Sequence, residues 1–305
     1  MEQDRDHVPD ATRSLILDEF VEHRRMLAGL AYRLLGSWHD AEDVLQEAYL
    51  RWARVDRAQV LEPRRYLTTV VTRLAIDSLR ARQARRENYV GDWLPEPLPL
   101  DSLDSGDTSD LSLAMLHLME QLTPPQRAVY VLRTAFVLPY DEVAAILDRS
   151  ADDCRQLHRR AAAALEKGRP KFTPSRAEQE RLLRDFVAAA REGDLARLES
   201  MLRAEVTAWT DGAGQPKTAR KPVLGQEKVA RFFTRIYTRG DQLAAVPIHS
   251  VGEVALLLRV RETSHLLTLQ SDGSLVTAVR VVANPEKLSA FEGHDGGSAV
   301  VFEDY

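Results

Sequence analysis

Residues 40–54 read DAEDVLQEAYLRWAR, and residues 63–86 read PRRYLTTVVTRLAIDSLRARQARR. In helical projection Ala41, Val44, Leu45, Ala48 and Trp52 of the first stretch fall on one side, and Asp40, Asp43, Gln46, Glu47 and the apolar Leu50 on the other. An acidic face that exposes a leucine suits a protein partner better than DNA. The second stretch inverts the charge: Arg64, Arg65, Arg73, Arg80, Arg82, Arg85 and Arg86 stand against Asp77 alone. One helix fits a protein surface, its neighbour fits phosphates. For an arbitrary acidic helix a solvated amphipathic face is the better account; here the wording of the two stretches decides otherwise.

That wording resembles region 2 of the extracytoplasmic-function sigma factors over about residues 14–88, with DAEDVLQE its most specific part. The resemblance implies that Asp40, Glu42, Asp43, Gln46, Glu47 and Leu50 dock on the β′ clamp helices of core RNA polymerase. It also implies that Arg64, Arg65, Tyr66, Thr69, Arg73 and Arg80, with the loop 55–63 before them, handle the −10 element of promoter DNA.

The 305 residues allow two or three domains, and 44% hydrophobic with 29% charged residues is ordinary globular composition. No apolar run is long enough to span a membrane. The polar start, MEQDRDHVPDATRS, lacks a signal-peptide apolar region. The single cysteine, Cys154, excludes an internal disulfide, so a cytoplasmic setting is expected. A net charge of −5 argues against nucleic acid only at first sight, because the basic residues are clustered. Electrostatic attraction reaches about 8 Å at physiological salt, so a local basic face can bind DNA on an acidic protein. The histidines are scattered without metal-binding spacing, and neither a metal nor a cofactor is expected.

A first helix is predicted over 15–35, with apolar Leu17, Phe20, Val21, Leu27, Leu30, Ala31 and Leu34, ended by Gly36. Along the basic helix Leu67, Val70, Val71, Leu74 and Ser78 are assigned to the buried side. Arg65, Thr69, Thr72, Arg73, Ile76 and Arg80 are assigned to the open one. Residues 10–88 thus form a three-helix domain. Residues 89–110 are a proline-rich acidic linker, but Trp93, Leu94 and Pro95 make WLPEP read as a docking segment.

A second helical domain covers 111–169. Thr123-Pro124-Pro125-Gln126 has the form of a helix start. A short helix over 139–147 buries Val143, Ala144 and Leu147. After a turn at Asp148-Arg149, Ser150 and Asp153 are expected to form a capping box for a helix that buries Cys154, Leu157, Ala161 and Leu165. Its open face carries Asp152, Arg155, Gln156, Arg159 and Arg160. This is helix-turn-helix geometry, with an ordinary helical hairpin as the competing account. The text is similar to sigma region 4 and lies downstream of the region 2 match at the expected distance. The similarity implies contact with the polymerase β flap. It also implies that Arg155, Gln156, Arg159 and Arg160 read the −35 element.

From residue 177 the pattern changes. Helices at about 177–191 and 194–203 precede a strand at 205–209, a turn at 211–214 and a helix at about 225–239. Four β-rich segments follow: 244–250, 254–261, 264–270 and 275–282, with Asp272-Gly273 as a hairpin signal. The expected fold class is multidomain: two all-α domains, then an α+β cup with a curved, mostly antiparallel sheet over 177–290. A mobile tail is expected at 291–305. The third part resembles a SnoaL-like domain. WLPEP, the turn Asp211-Gly212-Ala213-Gly214 with Lys217, and NPEKL with Asn284 and Pro285 resemble the sigma-factor group carrying such a fused extension. In that group the turn reads DGGGK; here Ala213 replaces a glycine and Lys217 is displaced.

The resemblance makes the chain a non-enzymatic sigma factor, a monomer when free, braked by its own cup through Trp93, Leu94, Pro95, Asp211, Gly212, Gly214, Lys217, Asn284 and Pro285. Two other classes compete. A cup enzyme would use His249, His265, Asp211 and Glu253 as acid/base groups, and the cup is in either case a candidate small-molecule site. A repressor or activator with one helix-turn-helix would leave the acidic helix unexplained.

Overall fold

The computed structural model describes residues 10–56, 59–86, 89–103, 111–166, 168, 174–215, 217–237, 243–260, 262–291 and 300–302. The helices are α1 (Asp10–Leu35), α2 (Trp38–Arg54), α3 (Pro63–Arg86), α4 (Leu113–Met119), α5 (Pro124–Thr134), α6 (Tyr140–Leu147), α7 (Ala151–Glu166), α8 (Arg176–Glu192), α9 (Leu195–Ser200), α10 (Gln226–Ile236) and α11 (Pro285–Leu288). The strands are β1 (Leu202–Asp211), β2 (Val223–Leu224), β3 (Leu243–Ser250), β4 (Glu253–Val260), β5 (Thr263–Ser271), β6 (Val276–Val282) and β7 (Val300–Phe302). None of the described helices is long and apolar enough to cross a membrane.

The chain packs as two compact units. One holds residues 1–84 and 122–164; the other holds 85–121 and 165–305. In the first, α1 and α2 pair through Phe20 and Tyr49, whose rings lie 5.3 Å apart edge to face. Gly36 takes φ 66° and donates to the Tyr32 carbonyl at 2.7 Å, which ends α1 as a glycine C-cap should. Of the apolar positions predicted for α1, Leu17 and Val21 are exposed and the others are buried. The same unit carries α5, α6 and α7. Arg127 of α5 is buried and donates from Nε to the Arg33 carbonyl at 3.1 Å.

The second unit is built on one seven-stranded sheet of order β2-β1-β6-β5-β4-β3-β7. Its centre is antiparallel, as expected, but β1 lies parallel to β6. The reason is topological: the run from β1 to β6 passes through α10 and four intervening strands, β2 to β5. Period-2 alternation sends side chains to two faces, and both are buried. On one face Val206, Leu256, Leu258, Leu267 and Val279 pack against α8, α9 and α10 through Leu183, Phe186, Leu198 and Phe233. On the other, Ile248, Leu257, Leu266 and Val282 pack against Leu94, Leu113, Leu288 and Phe291. The segment expected as a linker therefore covers a sheet face: Leu94, Pro95, Glu96, Pro97, Leu98 and Pro99 are all buried. Helix α4 packs there too, although its sequence belongs with the helical domain assigned to 111–169. Most of the expected tail, 292–299 and 303–305, lies outside the described residues.

Candidate functional site

The face of α2 follows from its sequence. Ser37 caps the helix, accepting from the Asp40 amide at 3.2 Å. The buried set is Ala41, Val44, Leu45, Ala48 and Trp52, as projected. Trp52 packs on Tyr66 with ring centroids 5.6 Å apart, so both are structural aromatics first. Asp43, Gln46 and Glu47 are exposed, and Leu50 keeps 47% of its surface open. Glu42 is half-buried, 3.6 Å from Arg24 of α1. Asp40 behaves differently from the rest. It pairs with Arg82 at 3.3 Å, and Arg82 also donates to the Leu35 carbonyl at 2.6 Å. One arginine of the basic helix thus ties the end of α1 to the start of α2 and is buried in doing so.

The buried stripe of α3 is rotated from the projected one. It runs through Leu67, Thr68, Val71, Thr72, Ala75, Ile76 and Leu79. Thr72 and Ile76, assigned to the open face, are buried, while Val70, Leu74 and Ser78 are only half-buried. Threonine can enter the core when its hydroxyl finds a backbone acceptor, as Thr68 does on the Arg64 carbonyl at 2.7 Å. Thr69 makes the same bond to Arg65 at 2.9 Å. Arg64, Arg65, Arg73 and Arg80 are exposed, Arg80 beside Asp77 at 3.2 Å. Arg73 reaches α6: Nε donates to the Ile146 carbonyl at 2.9 Å and Nη2 to Ala145 at 3.4 Å. It serves the orphan carbonyls of a helix end.

The second helix of the helix-turn-helix, α7, buries Cys154, Ala161 and Leu165, with Leu157 half-buried. In α6, Ile146 is buried where Leu147 was expected. Asp148 takes φ 53° at the turn. Half of the expected capping box forms: Ser150 Oγ accepts from the Asp153 amide at 3.1 Å, while the Asp153 carboxylate accepts from Arg149 at 2.5 Å. Gln156, Arg159 and Arg160 are exposed. Arg155 is exposed as well, ion-paired with Asp152 and 5.5 Å over the Tyr140 ring. Tyr140 Oη lies 3.0 Å from His158 Nδ1, and burial followed by the nearby Arg133 charge lowers the His158 pKa.

In the second unit, Asp211 ends β1 on the face that receives WLPEP, and it is fully buried. Its carboxylate accepts from the Leu94 amide at 2.8 Å, from Tyr89 Oη at 2.5 Å and from Lys287 Nζ at 2.6 Å. Lys287 also donates to the Leu94 carbonyl at 2.5 Å and sits 4.0 Å over the Trp93 ring. Asn284 donates to Tyr89 Oη at 3.2 Å, caps the short α11 through the Glu286 amide at 3.1 Å, and precedes Pro285 at its first position. Burial, then the Asp211 carboxylate, pushes the Tyr89 phenol up. Gly212 leaves room that a side chain would take from Thr218. Ala213 takes φ 48° and Gly214 φ 87°, a left-handed pair that swings Lys217 to the Ile236 carbonyl at 3.4 Å. The resemblance had picked out Trp93, Leu94, Asp211 and Asn284 but neither Tyr89 nor Lys287, although Lys287 lies inside the quoted NPEKL.

The four groups considered for an enzyme are not brought together. Asp211 grips the linker. Glu253 accepts from the Leu113 amide at the start of α4. His265 lies on β5 on the opposite, helix-covered face, beside Leu258. His249 is exposed, 4.0 Å from Glu180. Among the described residues no cluster of His, Cys, Asp and Glu has metal-site geometry.

Comparison with known proteins agrees with this layout. Residues 20–85 match the model of Sigma-70 region 2, and residues 112–165 match Sigma-70, region 4. The ECF RNA polymerase sigma factor SigJ of Mycobacterium tuberculosis is 40% identical over 233 residues, 73% of either chain. "Probable ECF RNA polymerase sigma factor SigI" of the same species is 30% identical over 285 residues, covering 90% of this chain and 95% of the relative. The crystal structure of Mycobacterium tuberculosis SigJ superposes with a TM-score of 0.69 at 32% identity, over 90% of this chain and 98% of that one. With a region 2 bundle, a region 4 helix-turn-helix and a SnoaL-like α+β unit in that order, this chain belongs to the extracytoplasmic-function sigma factors of the sigma-70 family.

Proposed function

We propose that this sigma factor brings core RNA polymerase to promoters through three separate surfaces, and that its C-terminal unit modulates the output. The open face of α2, with Asp43, Gln46, Glu47 and Leu50 exposed, is the docking surface for the β′ clamp helices. Glu42 joins at its edge, and Asp40 supports it through Arg82. The −10 element is handled by Arg64, Arg65, Thr69, Arg73 and Arg80 of α3, with Tyr66 behind the preceding loop. The −35 element is read by α7 through Arg155, Gln156, Arg159 and Arg160, and region 4 takes the β flap.

One observation carries the modulation: a candidate −10 contact, Arg73, is bonded to the carbonyl end of α6 in the helix-turn-helix. Elements centred 35 and 10 base pairs upstream lie about 85 Å apart at 3.4 Å per step, whereas Arg73 brings α3 and α6 to hydrogen-bond distance. The described arrangement is therefore a closed form that promoter binding must open. The segment joining regions 2 and 4 is buried against the cup, as is α4, so the cup has a physical hold on the opening. Opening needs only a few kcal/mol of differential contact from polymerase and DNA.

The test is transcription in vitro with core polymerase and a cognate promoter, alongside core pull-down. The parent protein, a truncation after Arg176 and Trp93→Ala are compared. The truncation and Trp93→Ala should raise promoter output with core binding retained. Equal output from all three would make the C-terminal unit a passenger. Failure of the parent to bind core would remove the sigma reading itself.

A further inference from the structure

Asp152 is an acid on the open face of α7, and its side chain is 91% exposed. Its carboxylate accepts from Nη1 of Arg155, three residues further along the helix. The same guanidinium lies 5.5 Å from the centre of the Tyr140 ring at the start of α6. Tyr140 is itself fixed by the neighbouring helices. Its Oη is 3.0 Å from Nδ1 of His158 on α7, and the Arg133 guanidinium of α5 lies 4.3 Å over its ring. His158 in turn stacks on Tyr130 of α5, with centroids 6.0 Å apart. A surface ion pair between neighbouring turns contributes little to stability. Here a carboxylate and an aromatic ring from another helix converge on one exposed guanidinium, so their effect is to orient it.

We propose that Tyr140 and Asp152 are positioning residues that aim the Arg155 guanidinium at one guanine of the −35 element, which makes Arg155 the specificity-determining arginine of α7. The inference rests on the reading of α7 as the −35 helix. A guanidinium carries five N–H donors in a planar fork. Asp152 engages Nη1, and among the described residues Nε and Nη2 of Arg155 bond nothing. That open edge matches the two acceptors, O6 and N7, that guanine presents in the major groove. The N-terminal residues of a recognition helix are the ones that meet base edges, and Arg155 is the fifth residue of α7. Asp152 partly neutralises Arg155 and itself repels phosphate, so this arginine gains less from the backbone than from a base. Arg159 and Arg160 are exposed, and among the described residues neither has a carboxylate partner. They suit phosphates, which reward charge rather than aim.

A long side chain loses rotamer freedom when it binds. An arginine already seated on a ring and a carboxylate has given up much of that freedom before DNA arrives. It is also kept from swinging to a phosphate when the base is wrong, and that restraint turns affinity into discrimination. Burial, then the Arg133 charge, keeps His158 uncharged to lower pH, so Nδ1 stays available to accept the Tyr140 hydroxyl.

Holoenzyme reconstituted from core polymerase and the full chain selects bound DNA from a promoter library randomised over the −35 element. The parent should enrich guanine at a position where Arg155→Ala shows no such preference. Tyr140→Leu and Asp152→Ala should each weaken that preference several-fold and leave the other positions unchanged. Tyr140→Phe, which keeps the ring, should retain most of it. On the selected promoter, 7-deazaguanine at that position removes the N7 acceptor. It should weaken binding of the parent by roughly tenfold and leave Arg155→Ala unaffected. Asp152 is exposed, so Asp152→Ala tests the positioning without disturbing the packing around Tyr140. Guanine preference left intact by either Tyr140→Leu or Asp152→Ala, or a loss spread evenly over all positions, would overturn the positioning. Absence of guanine enrichment in the parent would overturn it too. Preference that survives Arg155→Ala but is lost with alanine at all four of Arg155, Gln156, Arg159 and Arg160 would sink this inference alone. Preference that survives alanine at all four would remove α7 from the −35 element altogether.

Discussion

The guanidinium of Arg73 ends on the carbonyl of Ile146, Nε to O 2.9 Å, across a sequence separation of 73 residues. One side chain therefore closes α6 with Nε and Nη2, and turning those donors to a DNA phosphate means giving up that cap. Arg73→Ala is expected to lower the stability of the free protein by about 1–2 kcal/mol, at the lower end for a charged hydrogen bond because the group is partly solvated. Arg65→Ala should stay within about 0.5 kcal/mol, as exposed substitutions do. Urea unfolding of both variants measures the difference. If both side chains contact DNA phosphate as proposed, open-complex formation should fall with either substitution.

The pair Lys287–Asp211 is buried and spans 2.6 Å. Removing one partner of such a pair leaves an uncompensated charge and costs about 3–5 kcal/mol. Lys287→Ala should therefore loosen residues 89–99 from the sheet, read as faster proteolysis within WLPEP and a lower melting temperature. The double variant Asp211→Asn with Lys287→Met should recover part of the loss, since no unpaired charge remains.

Glu253 and His265 give opposite pH slopes. Burial pushes the Glu253 carboxyl up to about 7, against the pull of Arg280 and the amides of Leu113 and Ala114. Between its ordinary value near 4.5 and about 7, the folded chain holds a proton that the unfolded chain has released, so stability falls as pH rises through that window. His265, lowered from 6.5 to about 4, must gain a proton on unfolding, so its contribution is lost as pH falls from 6.5 to 4. Unfolding free energies at several pH values should show the stability of Glu253→Gln rising relative to the parent between pH 5 and 7. His265→Leu should instead gain relative to the parent as pH falls through the same range. A pH-independent difference for either variant would contradict the assignment.

Ala213 holds φ 48° in the turn that carries Asp211. A left-handed residue with a Cβ costs about 1–2 kcal/mol, and glycine removes that strain at some expense in unfolded-chain entropy. Ala213→Gly is expected to raise stability by about 0.5–1 kcal/mol, seen as a higher urea midpoint at unchanged slope.

Asp43 and Glu47 lie one turn apart on the open face of α2, Glu47 bonded only locally to Arg51 at 2.9 Å. Reversing both charges to Arg should abolish binding to core polymerase while changing stability by no more than about 0.5 kcal/mol each. Unchanged affinity in a core-binding assay would displace the docking surface from α2.

The face of α2 was legible because every member of its buried set is apolar and its open face is almost wholly polar. The face of α3 was not. Threonine polarity does not report burial there: Thr68 bonds its own helix, Thr72 is buried with its hydroxyl unbonded, and the stripe is rotated so that Thr72 and Ile76 were set on the wrong side. In the SnoaL-like unit β1 and β3 to β6 were legible, because alternation and an Asp-Gly turn are local signals, while the short β2 and β7 were not. The parallel pairing of β1 with β6 was not, since strand order depends on contacts between residues some seventy positions apart.

What the sequence determined by itself is most of the longer elements and the family: amphipathic periods, caps, turn residues and the wording of regions 2 and 4 are all short-range. What the tertiary structure alone decided is which charges are already engaged. Arg82 holds the junction of α1 and α2, Arg73 closes α6, Lys287 neutralises Asp211 over the linker, and Glu253 starts α4. In sequence each is one charged residue among many. A charge finds its partner through space, at distances set by packing of elements far apart in the chain, and no local pattern records that distance.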